Sequence, residues 1–401
     1  MRIAFFTPLS PKPSALSDFG DGLALALASQ PGVEVDVYID SRYTPDNPTV
    51  VRRLSPRSCR EFPSRARDYD VCLYSLGDHN GHHGYMLDFV YRYPGVVILN
   101  DLTLHRLVLY HAMARGSLRS YFEEMRYAYN LYDAGIAEQV MANVGDRLIL
   151  EYPLFERVVD NSRGVVVQNE YARARILSSR PQARVACIPY PFFMPPGFCD
   201  FDLSERRARQ RASRGLDDHF VVGSFGIFVA DKHLEDCLRA FAHVARKHPK
   251  SHYMLGGFAP PEYDLEGHIR GLGLEKQVTI TGWASPLRFV ENMFALDVGI
   301  HLRYPHIGGT PYTPIRLMGL GVCTLVSDIE PLAELPQGAC VKIAPDDYQE
   351  AVLTALLEHL ADHPDFRRQV GENGRQFIER HHTLDGAARR YVEFLSATCA
   401  S

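Results

Sequence analysis

The stretch 297–336, DVGIHLRYPHIGGTPYTPIRLMGLGVCTLVSDIEPLAELP, constrains the fold more than any other part of the chain. It opens with an apolar run, Val298-Gly299-Ile300-His301-Leu302, of a length suited to one short buried strand. A loop containing Gly308-Gly309-Thr310-Pro311 follows. Thr313 then reads as a helix N-cap with Pro314 in the first helical position, where its missing N–H does no harm. A second buried run, 322–326, ends at Ser327-Asp328. Strand, Gly-rich loop, helix and strand in this order aim free backbone N–H groups beyond the sheet edge, a setting suited to phosphate.

The same alternation of short apolar runs and amphipathic segments fills the chain. Residues 2–6 form a strand, 7–16 a Pro-rich loop, and a helix runs from Ser17 or Asp18, either of which caps it, to Ser29. Residues 33–39 are the next strand. In such β-α-β openings ligands sit beyond the carboxyl ends of the strands, so the 7–16 loop is a candidate site. It has no GxGxxG and is not a dinucleotide fingerprint. Residues 40–68 are polar and without a clear period. A strand at 70–75 runs into Leu76-Gly77-Asp78-His79-Asn80-Gly81-His82-His83. These histidines are read as lining a polar cleft, not holding a metal, because no HExxH or carboxylate spacing accompanies them. A helix at 85–93 and a strand at 95–99 precede Asn100-Asp101. The span 102–151 is long, periodic and predicted to be mostly helical, followed by strands at 165–168 and 185–189 with a helix from 171 between them. A Pro-dense linker covers 189–197.

Beyond the linker, 206–214 is a basic helical run, most simply a solvated face. Strands at 220–225, 253–257 and 278–281 and helices at 234–248, 262–272 and 286–294 lead to the organising stretch, and three helices close the chain. A length of 401 residues exceeds one ordinary core and favours two domains of roughly 200. The predicted architecture is α/β with two Rossmann-like domains whose mostly parallel sheets face a cleft: 1–197, 198–380, and a terminal helix at 381–401 packing back on the first. The net charge of −5 gives no reason to expect nucleic acid or more than peripheral membrane contact. The eight cysteines show no zinc spacing and read as reduced thiols. No apolar run approaches the ~18 residues of a membrane span, and MRIAFFTPLSP is too short for a signal peptide. A cytoplasmic enzyme is expected, with a homodimer compatible.

Several fragments in order resemble the retaining GT-B glycosyltransferases of family 4: RIAFFTPLSPKPSALSDFGDGLALALA, LYSLGDHNGHHGYMLDFVYRYPGVVILNDLTLH, GVVVQNEYARARI, SFGIFVADKHLEDCLRAF, VTITGWASPLRFVENMFALDVGIHLRYP and VSDIEPLAELP. The resemblance spans nearly the whole length. It implies a nucleotide sugar, UDP- or GDP-linked, held by the second domain, a small-molecule, saccharide or natural-product acceptor held by the first, and no metal or other cofactor.

Carried over by position, Lys232 matches the family's diphosphate lysine and Gly226 its close backbone approach. The 310–313 loop, with Gly309, Thr310, Pro311, Tyr312 and Thr313, matches the phosphate-holding segment; Gly282 and Trp283 match the nucleobase bracket. The family's glutamate, seven residues and second glutamate are lost: the first position falls on Gly308 or Gly309 and the second on Arg316, in ribose-contacting position. His306 or Tyr312 is the expected substitute for the first. The family's phosphate arginine falls at Gly226, and Arg303 is expected to restore its charge. Asn100 stands where relatives have histidine, beside Asp101 at the reacting sugar, and Ala15 replaces a loop glycine next to Ser14. His82, His83 and His105 are assigned to the acceptor side. Loss of the glutamate leaves two other readings: a catalytically impaired protein that binds a nucleotide sugar or a partner transferase, and a sugar-nucleotide epimerase.

Overall fold

The computed structural model describes residues 1–142, 146–195 and 202–399. The chain divides into two compact units: Met1–Pro191 with Ile307–Thr310 and Leu384–Ser401, and Phe192–His306 with Pro311–Thr383. The domain boundary expected at 197/198 falls among residues outside the description.

The first unit is built on strands β1 (Arg2–Phe6), β2 (Glu34–Ile39), β3 (Arg57–Ser58), β4 (Val71–Leu76), β5 (Val96–Leu99), β6 (Gly164–Val167) and β7 (Val185–Cys187). They pair in parallel in the order β3-β2-β1-β4-β5-β6-β7. All residues of β4, β5 and β6 are buried, as a parallel sheet covered on both faces requires. Phe6 anchors one face through ring contacts to Tyr38 at 5.2 Å, Phe62 at 4.9 Å and Tyr74 at 4.8 Å. The final helix, Leu384–Cys399, packs against helix Ala15–Leu27 and lays Phe394 on Gly164.

The second unit holds β8 (Phe220–Ile227), β9 (Ser251–Phe258), β10 (Val278–Gly282), β11 (Val298–His301), β12 (Cys323–Ser327) and β13 (Val341–Ile343). Their order is β10-β9-β8-β11-β12-β13, again all parallel. Val298, Ile300 and Leu302 face one apolar layer with helices Leu234–Lys247 and Glu350–Asp362. Gly299, with opposite pleat, receives Leu317 from helix Tyr312–Gly319.

Several expectations are corrected. The first helix is capped by Ser14, whose side chain accepts from the N–H of Leu16, and Ser17 is buried inside it. The 102–151 region is mostly helical, as expected, and its described residues break into helices His105–Ala114, Arg119–Tyr129, Ala134–Met141 and Asp146–Glu151. Residues 40–68 contain the short helix Pro48–Leu54, and strands β3 and β13 are too short to leave a sequence period. Pro311, not Thr313, occupies the N-cap position of helix Tyr312–Gly319, without a side-chain cap bond. The basic helix Leu203–Ala212 is no mere solvated face. Arg211 is buried, and Asp297 accepts from it at 3.1 Å, from Arg207 at 2.7 Å and from the N–H of Val221 at 2.8 Å.

Candidate active site

In the second unit the carboxyl ends of β8, β9 and β11 place the charge. Gly226 has φ +119° in β8 and pairs in register with Gly257, φ +138°. A Cβ at Gly226 would lie 2.7 Å from Lys232 Nζ, so the ammonium fills the space that the missing side chain leaves. Burial pushes the Lys232 pKa down to about 8, helped by Arg303 and opposed by Asp231. Arg303 is held from two sides: its N–H donates to Ser327 Oγ at 2.7 Å and its Nε to Asp231 Oδ2 at 3.1 Å. Two cations, Lys232 and Arg303, are thus fixed beyond the sheet edge.

Helix Tyr312–Gly319 starts after Pro311, a position that supplies no side-chain cap bond to the first turn. Within it Arg316 is 3% exposed, with its guanidinium carbon 4.5 Å from the Tyr312 ring centroid and 5.9 Å from that of Phe289. His306 is half-buried, and its pKa is lowered by burial. Gly282, φ +69°, ends β10, and the adjoining Trp283 is 50% exposed, with its ring edge-on to Phe258 at 5.8 Å. Ile227, Phe258 and Ile280, from the same three strand ends, are also exposed. Exposed apolar side chains gathered at strand ends mark a binding surface more than a defect in packing.

His301 was legible only as part of a buried strand. It ends β11 on the pleat face opposite Ile300, the face that also receives Leu317. The side chain is 5% exposed and its Nε2 has no hydrogen-bond partner. A polar residue closing an apolar run at a strand's carboxyl end was the available signal.

In the first unit, the loops after β1, β4 and β5 form a second polar cluster. Ser14 caps its helix and Ala15 is exposed beside it. Lys12, which the sequence reading passed over, donates from Nζ to the Gly81 carbonyl at 2.9 Å and lies 4.7 Å from the Tyr43 ring centroid. His82 is half-buried against His79, ring centroids 4.3 Å apart, and burial pushes its pKa down to about 4. His83 is buried, bonded through Nδ1 to the Ser75 carbonyl at 2.9 Å, and its pKa falls to about 3 for the same reason. Asp101 accepts the N–H of Asp78 at 2.8 Å. Asp78 was also missed: burial raises its carboxyl to about 8, opposed by the N–H of Leu107. Among the described residues, no group of three or more His, Cys, Asp and Glu side chains is placed to hold a metal ion.

Two expected site residues are structural. Asn100 is buried, donating to Ser75 Oγ at 2.9 Å and the Leu76 carbonyl at 2.8 Å and accepting from Tyr190 at 2.9 Å. Its amide is committed to tying strand ends together and has little left for a sugar. His105 is buried with Nδ1 on the Tyr152 carbonyl at 2.6 Å and Nε2 on the Tyr121 hydroxyl at 2.9 Å, so it belongs to the core. Gly308, Gly309 and Thr310 fall within the first unit, where Asn169 Nδ2 donates to Thr310 Oγ1 at 2.9 Å. A Cβ at Gly309 would lie 2.8 Å from the Asn100 carbonyl oxygen and 3.0 Å from Asp101 Oδ1, so no glutamate fits there without rearrangement.

Residues 206–377 match the model of the glycosyl transferases group 1 family. Among characterised proteins, alpha-D-kanosaminyltransferase of Streptomyces kanamyceticus is 27% identical over 259 residues, 60% of this chain and 66% of that protein, just under two thirds of its length. Sucrose-phosphate synthase from Thermosynechococcus elongatus superposes with a TM-score of 0.67 at 16% identity over 100% of both chains. WaaG, a glycosyltransferase involved in lipopolysaccharide biosynthesis, gives 0.63 at 14% identity, covering 98% of this chain and 99% of its own. Anabaena HepE, in complex with UDP-glucose, gives 0.60 at 14% identity over 99% of this chain and 100% of its own. At these identities the structural likeness speaks to fold. Residues 206–377 thus match the glycosyl transferases group 1 model, and the chain folds as two parallel-sheet Rossmann-like units of the GT-B kind.

Proposed function

We propose that the chain transfers a sugar from a UDP- or GDP-linked donor to a saccharide, natural-product or other small-molecule acceptor, with retention of configuration and without a metal or other cofactor. The observation that carries this reading is the Lys232–Arg303 pair beyond β8 and β11, one cation seated against Gly226 and the other fixed by Asp231 and Ser327. Departure of the nucleoside diphosphate builds negative charge on its phosphate oxygens. Pre-set cations and N–H groups meet that charge without reorganising, and removing one such donor costs about 3–4 kcal/mol in the transition state. The first turn of helix Tyr312–Gly319, which has no side-chain cap bond, adds to it.

Trp283 with Phe258, Ile227 and Ile280 offers the base an apolar platform, and Arg316 takes the ribose side. The acceptor is assigned to the first unit, with Asp101, Lys12, His82 and Ser14 as its polar contacts. Retention by attack on the face from which the diphosphate leaves needs no strong protein base. A relative named for kanosaminyl transfer and a fold neighbour complexed with UDP-glucose support a nucleotide-sugar donor. A cytoplasmic location and use as a monomer or homodimer are part of the same proposal; no helix of the described residues is long and apolar enough to cross a membrane.

The Gly308-Gly309 pair supports the second reading, a catalytically impaired binder of nucleotide sugar or of a partner transferase. Incubation with a panel of UDP- and GDP-sugars plus acceptors separates the two. A transferase releases nucleoside diphosphate when acceptor is added, and Lys232→Ala abolishes most of that release. Binding without release in every combination refutes the transferase reading.

A further inference from the structure

The end of β11 carries a group that the proposed donor site leaves unused. His301 is 5% exposed, and its Nε2 is buried without a hydrogen-bond partner. A polar atom left so is costly unless something occupies it in the working state. Its surroundings indicate what would. Register pairs Ile300 with Ser224, which sets His301 one step further along, level with the Phe225-Gly226 end of β8. Lys232 Nζ lies at that same end, against Gly226. Arg303 follows two residues later on the same strand exit. His301 thus leaves β11 beside the end of β8 at which Lys232 is seated, on the pleat face that receives Leu317 from helix Tyr312–Gly319, and the charges of Lys232 and Arg303 bear on it.

We propose that His301 is a donor-binding residue: its Nε2–H donates a hydrogen bond to a non-bridging phosphate oxygen of the nucleoside diphosphate. This rests on the proposed donor site and adds to it a specific contact. Burial and the nearby charges of Lys232 and Arg303 keep the ring neutral. A neutral imidazole beside two cations adds a directed donor without adding a third repelling charge. It also stiffens the site, since a β-strand end holds the ring more firmly than a loop would. The phosphate oxygen in turn selects the Nε2–H tautomer, because only that form can donate there.

The test uses the full chain with uridine diphosphate and guanosine diphosphate as probes. Binding is followed by calorimetry for the wild type, His301→Leu and His301→Gln. Leu fills the buried volume without a donor, whereas the Gln amide nitrogen reproduces the reach of Nε2. A hydrogen bond to a charged oxygen predicts about a ten- to hundred-fold loss of affinity in His301→Leu and near-wild-type affinity in His301→Gln. Nitrogen-15 spectra of the wild type should show the His301 ring passing to the Nε2–H tautomer as diphosphate is added. Unchanged affinity in His301→Leu overturns the proposal. So does equal loss in both variants, or a ring spectrum that ignores the ligand, since each marks a purely structural role. If the wild type binds neither diphosphate, the donor-site reading itself falls and the proposal with it.

Discussion

Lys232 should be a residue that this protein is more stable without. Its ammonium is drawn out of water against Gly226 with Arg303 nearby, and its pKa drops from the ordinary 10.5 to about 8. That difference corresponds to about 3 kcal/mol of destabilisation when the lysine is charged, at 1.36 kcal/mol per pH unit. The sign follows from proton counts. Below pH 8 both the folded and the unfolded chain carry the proton, and the full penalty applies. Between pH 8 and 10.5 the unfolded chain holds the proton more often than the folded one, so stability rises with pH. Above 10.5 the penalty has gone.

Lys232→Met keeps an unbranched apolar stem and removes the charge. In the absence of nucleotide it should stabilise the second unit by up to about 3 kcal/mol at pH 7, an advantage that shrinks towards zero near pH 10.5. Trp283 is the chain's single tryptophan and lies in this unit, so its fluorescence during urea unfolding reports the relevant transition. Diphosphate binding should be largely lost in the same variant, because the charge that costs stability is the one that meets the ligand. A Lys232→Met protein no more stable than wild type at pH 7, with a difference independent of pH, would refute the desolvated-lysine argument. For the same reason wild-type diphosphate affinity should fall as pH rises through about 8, a trend that calorimetry across pH 7–9.5 reads directly.

Three further outcomes are expected. Gly226→Ala places a Cβ 2.7 Å from Lys232 Nζ on a backbone of φ +119°; strain of about 1–3 kcal/mol should lower the unfolding midpoint, and displacement of the lysine should cut turnover by at least ten-fold. Asp297→Ala leaves Arg207 and Arg211 without their carboxylate and should destabilise the second unit by about 3–5 kcal/mol, measured by Trp283 fluorescence. Asn100→Ala strands Ser75 Oγ, the Leu76 carbonyl and the Tyr190 hydroxyl; it should cost about 1–3 kcal/mol in the first unit by hydrogen exchange of β4 and β5 while leaving diphosphate affinity unchanged.

Local sequence was enough to fix the strand–loop–helix–strand units, because alternating short apolar runs, caps and glycine punctuation act over a few residues. It also placed a helix after the Gly308-Gly309 loop to within two residues of its start, a matter of nearby spacing, whereas Lys232 and Gly226 were singled out by the family resemblance. Asn100 and His105 lay beyond its reach. Whether a polar side chain at a strand or helix end faces a ligand or ties the core together depends on partners far away in sequence, here Ser75 and Tyr190 for one, Tyr152 and Tyr121 for the other. The basic helix Leu203–Ala212 was opaque for the same reason: Asp297, some ninety residues on, decides that two of its arginines are structural. His301 shows the converse. Its sequence neighbours are apolar and suggest plain burial, but the pleat of β11 and the nearby end of β8 leave its imidazole beside two cations with one nitrogen unsatisfied. Periodicity records which face a residue takes, and only tertiary packing determines what waits on that face.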